Sequence, residues 1–324
     1  MTETLKRKFN IGIGRETTRG TIVAPAYWLK PLSEDINDKI EVAVSERAVG
    51  VIEDSEDQEI SKKMSGGTVA GEVFDKSFGL IMLATLGQVT SEESADSGVY
   101  NHSFEVLQSA KHPTLSVEVK RGDNEQKAYA NSVIETFKLN AVAKDYLKFE
   151  IALKGKSGVP ATNTPAYITE NYFLGKDINV KIADDLSGIA GASSVDVQSV
   201  EISINKNIED DDKLGSVEPN DFLNKQLIIE GNIEMLFKNI DLMNYALNGD
   251  KKAMRLEIVN TANTIGLSSN PKLVIDLAKI KFREPLIAGD NNEIAKVTVG
   301  FKAFYSSSDA KSIVAVLTNE ETSY

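Results

Sequence analysis

The sequence predicts a mainly β protein with two tandem antiparallel β-sandwich or half-barrel domains, each carrying one short helix. Three observations predict this fold: apolar and polar residues alternate along much of the chain, two short segments break the alternation, and the two halves of the chain resemble each other. Successive side chains of a β-strand point to opposite faces, so the alternation indicates sheets with one apolar and one polar face. Such sheets are usually antiparallel.

The most regular strand is predicted at residues 226–238. Its polar face holds Glu230, Asn232 and Glu234, whereas Ile228 and Leu236 depart from the alternation. The same period of two predicts further strands at residues 115–120, 148–154, 199–205 and 296–302.

The two segments that break the alternation are predicted to be short helices. The first begins with Ser77 as its N-cap and ends at Gly87, and the second begins at Asn239 and ends at Gly249. Ser, Asn and Asp are favoured at helix N-caps, and glycine adopts the left-handed conformation that ends many helices.

Both helices lie in similar surroundings, which predicts an internal repeat. Gly71 leads into the first helix and Gly231 into the second, 160 residues later (231 − 71). Pro113 and Pro271 begin similar strands, 158 residues apart (271 − 113). We interpret this as a domain duplication, with domains at 1–160 and 161–324; chance similarity between two amphipathic β domains is the alternative.

Beyond the Pro271 strand the repeat changes its offset. The segments that begin at Ile134 and Phe149 resemble those that begin at Ile280 and Val297, at offsets of 146 (280 − 134) and 148 (297 − 149). This change predicts a shorter loop in the second copy after the Pro271 strand.

Composition excludes several classes of function. The chain has 324 residues and a net charge of −12, which argues against a tight grip on nucleic acid. It has no cysteine and only two histidines, so disulfides, thiol catalysis and His-rich metal centres are excluded or disfavoured. The charged N-terminal residues do not resemble a signal peptide, and the longest apolar run, 78–86, is too short to cross a bilayer.

Seven segments, in chain order, resemble the tail tube proteins, or major tail proteins, of long-tailed, siphovirus-type bacteriophages. They are residues 14–21 (GRETTRGT), 24–29 (APAYWL), 67–71 (GTVAG) with the helix that follows, 100–104 (YNHSF), 112–117 (HPTLSV), 214–221 (LGSVEPND) and 315–324 (AVLTNEETSY).

The resemblance implies a structural virion protein without catalysis or cofactor. It implies tube domains that close into a ring β-barrel on assembly, with rings stacked into a hollow tube that conducts DNA into the host. Duplication of the domain favours three chains per ring, a homotrimeric pseudo-hexamer. The implied partners are further copies of the chain, the tape measure, tail terminator and distal tail proteins, and double-stranded DNA in passage, without a membrane. The implied location is the virion tail, assembled in the host cytoplasm.

Four polar residues are candidates for the lumen of the tube: Glu72, Glu230, Asn232 and Glu234. Carboxylates facing a channel would repel the phosphates of DNA and leave no deep binding well along its length. An outer, solvated face is the alternative interpretation.

Three charged segments are candidates for contacts between stacked rings. They are the basic arm Lys6, Arg7 and Lys8, the acidic run with Glu53, Asp54, Glu56 and Asp57, and the acidic run Glu209, Asp210, Asp211 and Asp212. The first acidic run lies in a long charged loop, 33–66, which is expected to become ordered only on stacking. A disordered terminus and solvated loops are the alternatives.

Other constellations are weaker. His102 and His112 suggest hydrogen-bonded histidines rather than a metal pair, and Asp210, Asp212 and Asp221 match a calcium loop only in part. No nucleotide-binding or nucleophile motif is present in a suitable context. Two rival functions remain: the tube of a contractile injection or type VI-like secretion machine, and a monomeric β-sandwich that binds a ligand such as carbohydrate.

Overall fold

The computed structural model describes residues 3–238, 240–289 and 294–324, and strands dominate it. The strands of the first half are β1 (Phe9–Arg15), β2 (Tyr27–Leu29), β3 (Pro31–Glu34), β4 (Asn37–Ser45), β5 (Asp57–Glu72), β6 (Gly87–Glu93), β7 (Tyr100–Val106), β8 (Leu115–Arg121), β9 (Glu125–Val142), β10 (Lys148–Gly155) and β11 (Val159–Pro160). Those of the second half are β12 (Ile178–Ala183), β13 (Ser194–Val195), β14 (Ser199–Asn205), β15 (Glu209–Asp211), β16 (Asp221–Leu223), β17 (Ile228–Leu236), β18 (Lys252–Val259), β19 (Lys272–Ala288), β20 (Lys296–Ala303) and β21 (Ile313–Asn319). The helices are α1 (Ser77–Leu86) and α2 (Asp241–Asn248), and short 3-10 turns lie at Lys6–Lys8, Gly175–Asp177 and Ile189–Gly191.

Eight strands form one continuous antiparallel sheet, which we call the main sheet. Their order is β3, β5, β10, β9, β14, β17, β20 and β19. A single row of paired residues crosses all eight strands: Pro31, Gly71, Phe149, Leu139, Ile202, Gly231, Phe301 and Phe282. In the single chain this sheet is open at both edges and does not close into a barrel.

The main sheet has the two-faced character that the alternation predicted. In β17, Ile229, Ile233 and Met235 are buried, whereas Asn232 is exposed. The predicted strands at 148–154, 199–205 and 296–302 are likewise confirmed as β10, β14 and β20. Apolar side chains from both halves fill one core on the buried face.

A second layer of strands covers the core on its other side. In the first half it consists of β1, β2, β8 and the first part of β9. In the second half it consists of β12, β13, β18 and the first part of β19, extended by β21 and the hairpin of β6 and β7. The predicted strand at 115–120 is β8, but its expected wet face is wrong, because Ser116 and Glu118 are buried under polar partners.

Both predicted helices are present, although they differ in burial. All ten residues of α1 are buried, whereas in α2 only Leu242 is. Gly87 and Gly249 end them in the left-handed conformation, as predicted. Asn239 lies outside the described residues.

The expected N-cap of α1 is wrong. Ser77 is the first helical residue, and its backbone N–H donates to the carboxylate of Glu170, 2.7 Å away. A side chain from 93 residues further along the chain therefore replaces the local cap. It satisfies one of the free N–H groups that begin every helix.

The expectation of a loop at residues 33–66 is also wrong. Strand β4 pairs with the first part of β5 from Asn37 with Gly66 to Ser45 with Asp57. Only residues 46–56 connect the two strands. The sequence signal is weak because Ile40, Val42 and other side chains of this ribbon are exposed, so no buried face imposes a clear alternation.

The two halves share a sequence of elements as well as a strand order. Each half has a 3-10 turn followed by two strands that pair with each other, β1 with β2 and β12 with β13. Four strands of the main sheet follow, with a helix between the second and the third of them along the chain. Gly71 faces Phe149 in the first half as Gly231 faces Phe301 in the second. At each glycine an added Cβ would meet the phenylalanine ring, so the ring covers the space that a side chain would need.

Two details of the predicted alignment are wrong. Residues 272–288 are a single strand, β19, so no loop follows the Pro271 strand. By its position in the sheet, β19 corresponds to β9, and β18 corresponds to β8, so Pro113, which precedes β8, is not the counterpart of Pro271. The hairpin of β6 and β7 is an insertion that follows α1 and not α2. The division at residue 160 stays a prediction, since β9 pairs with β14 and β7 with β21 across it.

Candidate functional site

The solvent-facing side of the main sheet carries polar side chains from most of its strands, and we call it the polar face. Its exposed or half-buried members are Glu72, Lys138, Asn140, Glu150, Glu201, Glu230, Asn232, Glu234, Arg283, Lys296 and Lys302. All four residues that the sequence suggested for a lumen lie on it. Alternate residues of a strand point to the same side, so Glu230, Asn232 and Glu234 share a face. Glu72 follows Gly71 as Asn232 follows Gly231, which places it on the same side of the sheet.

Three carboxylates of this face, those of Glu150, Glu230 and Glu234, lie within 4.0 Å of cations on other strands of the main sheet. Glu230 accepts a bond from Arg283 at 2.6 Å and lies 3.4 Å from Lys302. Lys296 lies 3.0 Å from Glu234. Exposed pairs of this kind contribute under about 1 kcal/mol each to stability. Their main consequence is electrostatic, because a cation beside each of these carboxylates reduces the local negative potential.

The main sheet ends in two unpaired edges. At one edge β3 pairs with β5 alone, and at the other the part of β19 beyond Phe282 pairs with β20 alone, among the residues that the structure describes. Large apolar side chains are exposed at both: Leu32 is 58% exposed and Leu286 is 67% exposed. An open, apolar strand edge is a template for pairing with another strand.

The N-terminal arm lies beside the first of these edges. Lys6 and Arg7 of its 3-10 turn, together with Phe9 and residues 31–34, line a cavity of about 460 Å³. The basic arm is therefore placed against the side of the main sheet.

The hairpin of β4 and β5 projects from the main sheet and carries the first acidic run at its end. Glu53, Asp54 and Glu56 lie in the exposed connection, and Asp57 is the first residue of β5. Arg47 lies 3.0 Å from Glu56 across the connection.

The second acidic run is largely engaged within the chain. Lys62 lies 2.7 Å from Asp210 and 2.8 Å from Asp212, and Lys225 lies 3.0 Å from Glu209. Burial opposes charge on Lys62, but its bonds to the two aspartates raise the pKa of its ammonium group. Asp211 accepts a bond from the Asn220 side chain. Any contact that this run makes with another molecule competes with these pairs.

A buried polar cluster explains part of the 14–21 segment, to which sequence reasoning gave no role. The Glu16 carboxylate accepts bonds from Thr114, Ser116 and the backbone of Asn131, which has φ 51° where β9 changes its partner from β8 to β14. Arg19 binds Asp221 of the second half at 2.5 Å. The signal for this cluster in the sequence was the presence of Glu16 and Arg19 in a short segment between two glycines.

The Arg19–Asp221 pair shifts the acid equilibrium of the aspartate. Burial alone would raise the pKa of Asp221, but bonds from Arg19, the Phe222 backbone and Asn131 lower it to about 2.

The two histidines lie in separate hydrogen-bonded places. His102 contacts Ser91 at 2.8 Å and Asn319 at 3.0 Å, and burial lowers its pKa. His112 contacts the Leu107 carbonyl at 2.9 Å, and burial lowers its pKa to about 4. Within the described ranges, no group of three or more His, Asp or Glu side chains is arranged to hold a metal ion. No helix of the described part of the chain is long and apolar enough to cross a membrane.

Comparison with curated proteins gives no significant match. The family model described as "Phage tail tube protein" matches residues 7–303, which include both halves of the main sheet and both helices. The chain therefore belongs to the phage tail tube protein family.

Proposed function

We propose that this chain assembles into stacked rings that form a hollow tail tube and conduct DNA into the host. The observation that carries the proposal is the main sheet, with one polar face, one core face and two open edges at opposite ends. Adding copies side by side would continue the sheet, and closing it would remove both edges. The membership in a structural tail family supports this role.

We further propose that the two halves are copies of one tube domain and that a ring contains three chains. The main sheet divides into two sets of four strands, β3–β5–β10–β9 and β14–β17–β20–β19, with Gly71 and Gly231 at equivalent positions. A head-to-tail contact repeated by rotation closes into a ring. If each four-strand set takes one of six places, three chains fill the ring.

In this assembly we assign the polar face, including Glu72, Glu230, Asn232 and Glu234, to the lumen. The sequence suggested that carboxylates ease the passage of DNA by repelling its phosphates. Because Glu230 and Glu234 are paired with Arg and Lys side chains, we propose a different reason. The bore would present alternating, mutually neutralised charges, so DNA meets neither a strong attraction nor a strong barrier.

The hairpin of β4 and β5 is our candidate for contact between rings, through its acidic connection at 46–56. The tape measure, tail terminator and distal tail proteins are the proposed partners. The proposed location is the virion tail, which is assembled in the host cytoplasm. Protease resistance of residues 46–56 in unassembled subunits would argue against ordering on stacking.

Electron microscopy with mass measurement per layer tests the tube and its composition. We expect hollow tubes with three chains per layer. Six chains per layer would refute the trimer and retain the tube, whereas a monomer at every concentration, with or without phage tail-tip initiators, would argue against the tube.

Cysteine labelling tests the lumen, because the chain has no native cysteine. In assembled tubes, Asn232→Cys should resist a bulky polymer maleimide but react with a small one. Ser187→Cys, in an exposed turn of the second layer, is the matched control and should react with both. Equal labelling of the two sites by the bulky reagent would refute the lumen assignment.

A further inference from the structure

We infer that β3 and the N-terminal arm bind the end of β19 from a second copy of the chain, with Phe282 opposite Pro31 and residues 285–287 beside the arm. This inference rests on the proposed ring and names the residues of its seam. It assigns the basic arm to the contact within a ring, in place of the contact between rings that its charge suggested.

The chain contains an internal example of this contact. Strand β14 of the second half pairs with the end of β9 of the first half, with Ile202 opposite Leu139. The end of β9, residues 141–143, lies against the 3-10 turn at Gly175 and the first residues of β14. An added Cβ on Gly175 would meet the Val142 carbonyl, which shows how closely the turn and the strand end approach. The space left among these elements is only about 40 Å³.

The row of paired residues across the main sheet identifies the counterparts of this contact. Ile202 faces Gly231 as Pro31 faces Gly71, so β3 takes the place of β14. Leu139 faces Phe149 as Phe282 faces Phe301, so the end of β19 takes the place of the end of β9. Counting along both strands from these positions, and allowing for the one extra residue that a bulge inserts in β19 between Phe282 and Pro285, matches residues 285–287 with 141–143.

The N-terminal arm has a counterpart as well. The 3-10 turn Lys6–Lys8 directly precedes β1, and the turn Gly175–Asp177 directly precedes β12. These two strands then pair in the same way, with Leu29 opposite Ile11 and Val195 opposite Val180. The arm therefore borders its groove as the Gly175 turn borders the internal contact.

The arm and β3 border an open groove of about 460 Å³ in the single chain, whereas about 40 Å³ is left where the end of β9 lies against the Gly175 turn. Leu5, before the arm's turn, is 70% exposed, whereas Leu174, its counterpart, forms a bridge with Tyr146 of the first half. Leu286 and Ile287 at the end of β19 are exposed and apolar, and Phe9, Pro31 and Leu32 supply apolar lining to the groove beside its charged and polar side chains.

The charges are complementary too. Lys6, Arg7 and Lys8 of the arm have no carboxylate within 4.0 Å in the described structure, and Glu284, at the end of β19, has no cation within that distance. Docking the end of β19 beside the arm would bring unpaired positive and negative charges together, which favours the correct partner and orientation.

Disulfide cross-linking in assembled tubes tests the seam. In the internal contact Asn140 faces Glu201, and the counterparts across the seam are Arg283 and Lys30 of the neighbouring copy. Paired residues of antiparallel strands lie within the Cα separation that a disulfide requires. Oxidation of tubes made from the double variant Arg283→Cys/Lys30→Cys should therefore link successive chains covalently, up to the number in one ring.

Two matched controls accompany this test. Asn140→Cys/Glu201→Cys should form a disulfide within one chain and give no covalent oligomer. Arg283→Cys/Asn37→Cys, which places the second cysteine outside the predicted register, should give few links. Tubes that assemble but form no links between chains with Arg283→Cys/Lys30→Cys, while the internal control oxidises, would overturn the seam and leave the proposed function standing.

A second pair of variants tests the groove without cysteine chemistry. Leu286→Asp and Leu5→Asp should each shift the concentration needed for ring formation upward by at least tenfold, with the thermal unfolding midpoint of the unassembled chain unchanged. Because both side chains are exposed in the single chain, their replacement should not affect folding. Normal assembly of both variants would contradict the inference, whereas failure of the wild-type chain to assemble at all would contradict the proposed function itself.

Discussion

Replacement of Lys206 by Met should remove most of the dependence of folding stability on pH between about pH 7 and about pH 9. Lys206 follows β14, is 1% exposed, and its Nζ donates to the Ala84 carbonyl in the last turn of α1 at 2.9 Å. No carboxylate of the described residues forms an ion pair with it, and burial followed by the Arg19 charge lowers its pKa from 10.5 to about 7.

The sign and the magnitude follow from proton linkage. Between the folded and unfolded pKa values the unfolded chain holds a proton that the folded chain does not, so stability rises with pH from about 7 toward 10.5. Each pKa unit corresponds to about 1.4 kcal/mol. Half-titration at the lower end reduces the gain, so raising the pH from about 7 to about 9 should stabilise the native state by about 2 kcal/mol through this group alone.

Urea unfolding of the unassembled chain at several pH values measures this gain as a difference between variants. The free energy of unfolding of the wild type minus that of Lys206→Met should rise by about 2 kcal/mol over this interval. Lys206→Met also leaves the Ala84 carbonyl without its donor, but that cost is independent of pH and does not alter the slope.

The exposed Lys213→Met is the matched control and should behave as the wild type. Parallel pH profiles for the wild type and Lys206→Met would refute the reasoning. They would mean that the buried ammonium keeps its ordinary pKa, through water or an anion that reaches it.

Three further predictions concern buried contacts of the single chain. Asp221→Asn should cost about 2 kcal/mol at neutral pH, because the bond from Arg19 and its neighbours lowers the pKa of Asp221 from 3.8 to about 2. That contribution is present above about pH 4 and lost toward about pH 2, so urea unfolding should show the two proteins converging in acid. Gly231→Ala should destabilise the native state by about 1 to 3 kcal/mol, since the new methyl group would meet a backbone carbonyl and a phenylalanine ring. The control Gly191→Ala adds its methyl group in open space and should leave the melting temperature unchanged. Equal melting temperatures of the two variants would contradict the packing argument. Tyr324→Ala should lower the free energy of unfolding in urea by about 3 kcal/mol, because the ring packs on α1 and its hydroxyl donates to the Lys76 carbonyl at 2.6 Å. A loss below about 1 kcal/mol would show that the ring is dispensable.

The sequence predicted the elements of the main sheet better than their surroundings. The strand at β17 and the glycine ends of α1 and α2 depend on near neighbours in the chain, so periodicity and residue type identify them. The N-cap of α1 comes from Glu170, and no local pattern could show that. The wet face expected for β8 failed for the same reason, because the partners that bury Glu118 come from elsewhere in the chain.

The candidate site shows a similar division. The common face of Glu72, Glu230 and Asn232 was predictable, because a strand fixes it by alternation and the repeat relates the two halves. The cations that neutralise Glu230 were not, since Arg283 approaches from a strand 53 residues away. The pairing of Lys62 with Asp210 and Asp212 likewise appears only when the β4–β5 hairpin folds over the second half.

By itself, the sequence determined the β class, the two short helices, the alternating faces and the resemblance to a tail tube, because each is encoded in residue order over a few positions or in recurring segments. Only the tertiary structure decided that residues 272–288 are one strand, that α1 is buried on all sides, and that β3 and the end of β19 each keep one unpaired edge among the described residues. Strand pairing joins residues far apart in the chain, such as Leu139 and Ile202, and local alternation is compatible with many such pairings. The open edges, which are the basis for the proposed ring, therefore become visible only once every other strand has its partner.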